Sequence, residues 1–433
     1  MVRQTEARVG VVVPRTGRLA ELGLPLTFAG ELLEPTLADP GRGSGRRPIR
    51  LLWRDSRSDP DHARLVTTEL VREQGVHLIL TMAGSHVLPA VAATCEELET
   101  PCLSTTFPWQ AYYAARGVPP GHTFRWTYHF GWGLDDIADV FADMWERLGT
   151  GMTVGCLWNT HFQGTTLRNG VFEAVAARRG HRLIDPGGYT EANGDFEACA
   201  AHFLRNGVEI VTSAATTDDL AAFRRHADRQ GLRPRLITSS RWLTYPFTPP
   251  EPPGPDGIAT IVYWSPRHPC RSSLGDMTAA DLAALYERHT GRQWLQPLGV
   301  AHALFEVAAH VLSSAEDRGD IAATLATTRV DTVAGPLDWA KGPAPNIAAI
   351  PLIGGQWRAG TRHPHELALV TNTRLPELVL SEDLRSGAPA GVPPLAPRGA
   401  RAERGSLTHA VGPWYGDAAF ASPATPTSSS PPS

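Results

Sequence analysis

Gly75-Val-His-Leu-Ile-Leu-Thr-Met82, then Ala83-Gly84-Ser85, then an amphipathic run over 87–98, then Cys102-Leu-Ser104: the reading of this stretch decides the fold. Residues 76–82 are a short apolar run of strand length. Residues 87–98 place apolar side chains at three- and four-residue spacing, the period of a helix face. Gly75 follows another helical pattern, 62–74, at the position where a left-handed cap is expected. Strand, helix and strand joined by links this short predict parallel strands covered by helices.

Working outward, residues 9–13 and 49–53 read as strands and 19–37 as a helix. The same alternation starts again at 134. Helices are predicted over 134–148, 165–179 (ended by Gly180), 196–206 and 218–230, with strands at 153–157, 183–184, 209–211 and 235–237. The chain therefore reads as α/β, two doubly wound parallel-sheet lobes with a ligand cleft between them. At 433 residues it is too long for one ordinary core. The Pro-rich stretch 246–255 reads as a loop, 281–289 and 300–312 as helices, and 367–370 as a last strand after Gly354-Gly355-Gln356-Trp357. From about Ser386 the composition turns to Pro, Gly, Ala and Ser, which predicts a disordered tail over 386–433.

A formal net charge of −4, with scattered arginines and one lysine, Lys341, argues against a nucleic-acid or membrane-surface partner. No apolar run reaches the roughly 18 residues of a membrane span. The first eight residues lead straight into a strand and leave no room for an export signal, so the chain as written reads as cytoplasmic, or extracytoplasmic if its true start lies upstream. Cys95, Cys102, Cys156, Cys199 and Cys270 form no Cys-x-x-Cys pair and read as small hydrophobes.

Catalytic and cofactor signatures are missing: there is no G-x-x-x-x-G-K-[ST] and no G-x-S-x-G. Gly41-Arg-Gly-Ser-Gly45 precedes a strand instead of joining strand to helix, so it reads as a surface turn. His363-Pro-His365 has metal-ligating side chains but reads as surface loop. Asp135-Asp136 and Asp218-Asp219 fall in first helical turns, where carboxylates suit the helix dipole. No cofactor, metal or enzymatic activity is expected.

Strand ends remain, because doubly wound sheets bind ligands beyond the carboxyl ends of their strands. Ser85 is either a helix cap or a ligand donor. Ser104, Thr105, Thr106 and Phe107 form either a hydrogen-bonded turn with a core aromatic or a polar wall for a small ligand. In the second unit Trp158, Phe162 and Gln163 follow one strand, Thr216 another, and Ser240 and Trp242 a third. The two tryptophans read as core unless their strand ends face a common cleft.

Several segments together resemble the type I periplasmic binding proteins, specifically the branched-chain amino acid, amide and urea receptors of ABC transporters. They are Val9-Gly-Val-Val-Val-Pro-Arg-Thr-Gly17, the stretch quoted first with Glu99-Thr-Pro-Cys-Leu-Ser-Thr105, and Asn193-Gly-Asp-Phe196 with Gly207-Val-Glu-Ile-Val211. Gln296-Pro-Leu-Gly299 and Gly335-Pro-Leu337 complete the set, and the likeness runs over about 9–382. The resemblance implies two lobes joined by three crossovers, divided as 1–128 and 263–334 for the first lobe and 129–262 and 335–385 for the second. By position it implies first-lobe contacts from Ser85 and 104–107, and second-lobe contacts from Phe162, Gln163 and Thr216. It also implies an acidic residue near 238–241 to meet a ligand ammonium, where this chain has Thr238-Ser239-Ser240-Arg241. A neutral amide, a urea-like compound or a carboxylate is therefore expected ahead of an ordinary amino acid. The implied partner is an ABC permease; the alternative is a cytoplasmic amide sensor acting through a regulatory protein.

Overall fold

The computed structural model describes residues 6–41, 45–241 and 256–387. All of the predicted loop at 246–255 and nearly all of the predicted tail lie outside the described residues. The first lobe opens with β1 (Ala7–Val13), α1 (Ala20–Ala38), β2 (Ile49–Asp55), α2 (Pro60–Arg72), β3 (Leu78–Met82), α3 (Val87–Glu97), β4 (Cys102–Thr105), α4 (Trp109–Ala115) and β5 (Thr127–Gly131). The second continues with α5 (Leu134–Glu146), β6 (Thr153–Asn159), α6 (Phe162–Thr166), α7 (Phe172–Arg178), β7 (Arg182–Ile184), β8 (Gly188–Tyr189), α8 (Phe196–Arg205), β9 (Ile210–Ser213), α9 (Thr217–Gln230), β10 (Leu236–Ser239) and β11 (Ile258–Val262). Then come α10 (Ala279–Thr290), α11 (Pro297–Leu312), α12 (Arg318–Thr327), β12 (Arg329–Thr332), β13 (Gly335–Asp338), β14 (Ile347–Ala349), β15 (Ile353–Ala359) and β16 (His365–Thr371).

One sheet has the order β14-β5-β4-β3-β1-β2 and is parallel throughout. Side-chain alternation explains how helices cover both its faces. Val9, Val11 and Val13 enter the core beneath α1 and α11, while Val12 points into the opposite core beneath α2 and α3. The second sheet runs β16-β15-β11-β10-β9-β6-β7. Along β6, Val154, Cys156 and Trp158 face one core and Leu157 the other.

Two expectations change here. The second sheet is parallel only from β7 to β11; β15 and β16 add an antiparallel hairpin to its edge. The lobe boundaries also move. β5, which spans the expected break at 128, pairs with β4 over 127–130, and β14 pairs with β5. Residues 335–349 thus belong beside the first sheet, and the return to the second begins at Ile353. The physical reason is local: the strands at 127–131 and 347–349 are short and, but for Ala349, buried, and they show no alternation that marks which sheet they join.

Capping sets the helix limits. Asp59 accepts the His62 N–H at 2.7 Å with Pro60 in the first turn of α2. Thr278 and Asp281 form a reciprocal box at α10, closed at the far end by Gly291 in the left-handed region. The helix predicted as continuous over 165–179 is broken. Asn169 leaves helical ψ and Gly170 takes φ +101°, a conformation that favours glycine, so α6 and α7 are separate.

Candidate ligand cleft

Strand order reverses between β1 and β3 in one sheet and between β6 and β9 in the other, so their carboxyl ends are the places where a doubly wound sheet offers a ligand site. Both carboxyl edges meet at the crossovers. Trp132, directly after β5, stacks on Tyr263, directly after β11, with ring centroids 4.3 Å apart and planes 19° from parallel. Gln296 holds the second crossover, its Oε1 accepting the Tyr263 N–H at 3.0 Å and its Nε2 donating to the Ile261 carbonyl at 3.1 Å.

On the first lobe, Ser85 lies in the turn before α3 and is exposed. α3 has no side-chain cap, so the capping reading of Ser85 is not what the structure adopts, and its hydroxyl has no partner among the described residues. Thr106 is half-buried at φ +72°, a strained conformation for a β-branched residue. Its hydroxyl donates to the Thr105 carbonyl at 2.5 Å. At the carboxyl end of β2, Asp55 accepts the backbone N–H groups of Arg57 (2.8 Å), Arg15 (2.9 Å) and Thr16 (3.3 Å), and the Thr16 hydroxyl at 2.6 Å. Burial pushes the Asp55 carboxyl upward, but the Thr16 hydroxyl and the three N–H groups outweigh it and hold the group below its ordinary range.

The neighbours of Thr106 leave the candidate set. Ser104 and Thr105 are completely buried. Ser104 Oγ meets His129 Nδ1 at 2.9 Å, and the Thr105 hydroxyl donates to the Phe130 carbonyl at 2.8 Å. Both hydroxyls are spent joining β4 to β5. Phe107 packs in the core around α2 and α3, and its carbonyl accepts His129 Nε2–H at 2.8 Å.

On the second lobe, Trp158 is a core residue packed on Phe172 at 5.0 Å, because alternation along β6 turns it into the same core as Val154 and Cys156. Thr216 caps α9, accepting the Asp219 N–H at 3.1 Å. Phe162 begins α6, but its side chain lies outside the description, and Trp242 lies outside the described residues. Gln163 and Ser240 do come together, Gln163 Nε2 donating to Ser240 Oγ at 3.2 Å.

Sequence reading missed Glu191, which follows the two-residue strand β8. Its Oε1 accepts from Arg241 Nη1 and, at 2.9 Å, from Asn159 Nδ2, and its Oε2 lies 3.3 Å from His161 Nε2. The chain thus supplies an acid beside Arg241, but from another strand end and already paired. The available signal was the turn at 190–195 between a strand and the Asp195 cap of α8.

A separate cavity of about 170 Å³ lies beside the crossovers, lined among others by Ser265, Arg267, Glu287, Gln293, Trp294 and His363. His363 Nε2 meets Glu287 at 2.9 Å and His365 Nδ1 meets Asp256 at 3.0 Å. Both histidines of the His-Pro-His stretch are therefore engaged with acids. Among the described residues no group of three or more His, Cys, Asp or Glu is placed to hold a metal, and no helix is long and apolar enough to cross a membrane.

The family model for periplasmic binding proteins matches residues 6–353. The chain belongs to the periplasmic binding protein family. No curated protein matches this periplasmic binding protein in sequence. Among solved structures, it is similar to the solute-binding protein of an ABC transporter from Rhodopseudomonas palustris BisB5 in complex with 3,4-dihydroxybenzoic acid, at 13% identity over 88% of this chain and 98% of that one, with a TM-score of 0.64. It is also similar to the branched-chain amino acid transporter substrate-binding protein LivJ of Streptococcus pneumoniae with isoleucine, at 13% identity over 84% and 100%, TM-score 0.65. A third is a solute-binding protein from R. palustris with 4-hydroxybenzoate, at 13% identity over 85% and 96%, TM-score 0.66. At such identity these likenesses establish the shared fold.

Proposed function

We propose that this periplasmic binding protein is the capture component of an ABC importer outside the cytoplasm, closing its lobes on a small organic acid that it does not transform. The observation that carries the reading is the pair Ser85 and Thr106. One is an unpartnered hydroxyl at a helix start without a side-chain cap, and the other is a strained threonine at the adjacent strand end, both at the carboxyl edge of β3 and β4. Free N–H groups at such a helix start favour an anion. The solved relatives hold isoleucine, 4-hydroxybenzoate or 3,4-dihydroxybenzoate, all of which carry a carboxylate. Gln163 and Ser240 supply the facing wall from the second lobe. The fold of a two-lobed receptor permits closure about the crossovers. No specific observation favours the regulatory sensor.

A thermal-shift screen of carboxylates, amides, urea-like compounds and amino acids identifies the ligand, because a molecule bound to the native state raises its stability. The double variant Ser85→Ala, Thr106→Ala then weakens binding at least tenfold, about 1.4 kcal/mol. Unchanged affinity removes this site.

A further inference from the structure

At the carboxyl edge of the second sheet a carboxylate is held in place by buried and half-buried polar groups. Asn159, 1% exposed, donates to Glu191 Oε1 at 2.9 Å and to the Ala214 carbonyl at 2.7 Å, while its own Oδ1 accepts the His161 N–H at 3.1 Å. Buried Asp219 fixes the loop that bears Glu191, accepting the Ala192 N–H at 3.1 Å and the Tyr189 hydroxyl at 3.3 Å. The carboxylate so fixed grips Arg241 by Nη1 alone. Arg241 Nε and Nη2 have no partner among the described residues, and the side chain is 34% exposed. A guanidinium anchored through one nitrogen presents its remaining N–H edge as a planar fork, the geometry that matches a carboxylate.

We propose that Arg241 is the specificity-determining residue of the ligand cleft, and that the cleft takes small carboxylic acids without a free amino group. This rests on the capture reading above. On closure the open edge of Arg241 meets the same carboxylate that Ser85 and the start of α3 hold from the first lobe. Glu191 plays two parts: it orients the guanidinium, and its charge is cancelled by it. An α-amino acid carries its ammonium one carbon from the carboxylate, so binding would bring that cation against Arg241 with the nearby acid already neutralised. The matching acid lacking the ammonium meets no such repulsion.

The test is calorimetric titration of the full chain with matched pairs: 4-methylpentanoate against L-leucine, and 3-phenylpropanoate against L-phenylalanine. The acid of each pair binds at least tenfold more tightly. Arg241→Ala loses at least tenfold for the acids and narrows the gap within each pair, since Glu191 is released; Arg241→Lys recovers part of the acid affinity. Melting curves of both variants show whether the fold is retained. Tighter binding of the amino acids by the wild type overturns the proposal, as does unchanged acid affinity in a folded Arg241→Ala variant. If neither pair binds but another small molecule does, the capture reading stands and this inference fails. If a broad small-molecule panel shifts nothing, both fail together.

Discussion

Thr106 occupies the left-handed region at φ +72°, where an L-residue with a branched Cβ costs about 1–2 kcal/mol. Ser104 and Thr105, on the same strand, are paid in hydrogen bonds to β5; Thr106 bonds only to its own neighbour's carbonyl. Strain without a structural return at a strand end supports the proposed contact of Thr106 with the ligand. Thr106→Gly therefore keeps the melting temperature of the wild type or raises it, since glycine adopts this conformation freely, while ligand affinity falls. A loss of stability near 2 kcal/mol in chemical denaturation would show instead that the side chain is structural. The three consecutive hydroxyls looked equivalent in the sequence. Only pairing with β5, and the turn that follows, separates two fasteners from one candidate contact.

At the level of elements, β4 and β5 are clasped by His129. Its ring accepts from Ser104, donates to the Phe107 carbonyl and stacks on Tyr112 at 4.7 Å. Complete burial drives its pKa down to about 4, against the opposing pull of the Phe107 carbonyl. His268, buried on the crossover segment and accepting the Ser265 N–H, is likewise lowered to about 4. A histidine whose pKa is depressed on folding binds its proton more readily unfolded. Its contribution is complete above the unfolded value of about 6.5 and is lost as pH falls towards 4. At pH 5 that loss is roughly 2 kcal/mol per histidine. Urea denaturation at pH 7 and pH 5 should show it, and His129→Asn, though less stable at pH 7, should lose less between the two. An equal loss in the variant would place the acid sensitivity elsewhere. α11 is the other element whose identity and role diverge. Every residue but His310 is buried, including Glu306, whose carboxylate accepts the N–H groups of Ser273 and Val333 at 3.0 and 2.9 Å. That carboxylate ties two loops to the first lobe.

For the whole molecule, the crossovers are the points where the lobes are joined and where they would turn. The Trp132–Tyr263 stack and the Gln296 clasp keep the carboxyl edges of both sheets together, and in the proposed closure they are the pivot. Small-angle scattering of the chain with a confirmed ligand should show a smaller radius of gyration than the ligand-free chain. Identical curves would exclude closure.

The local elements were legible in the chain: strand runs at 9–13, 76–82 and 153–157, helix periodicity, and stops such as Gly75 and Gly180, which take φ +60° and +73°, whereas Thr216, expected as a ligand contact, is a helix cap. These follow from steric and solvation preferences acting within a few residues, and their order along the chain already implied two doubly wound lobes. Sheet membership of 127–131 and 347–349, the antiparallel edge hairpin, and the burial of Trp158 depended on which strands meet. The sharpest case is Arg241. The sequence showed a cation where an acid was expected, but Glu191, 50 positions earlier, could be found only in the fold, because charge neutralisation acts through space and leaves no periodic trace along the chain.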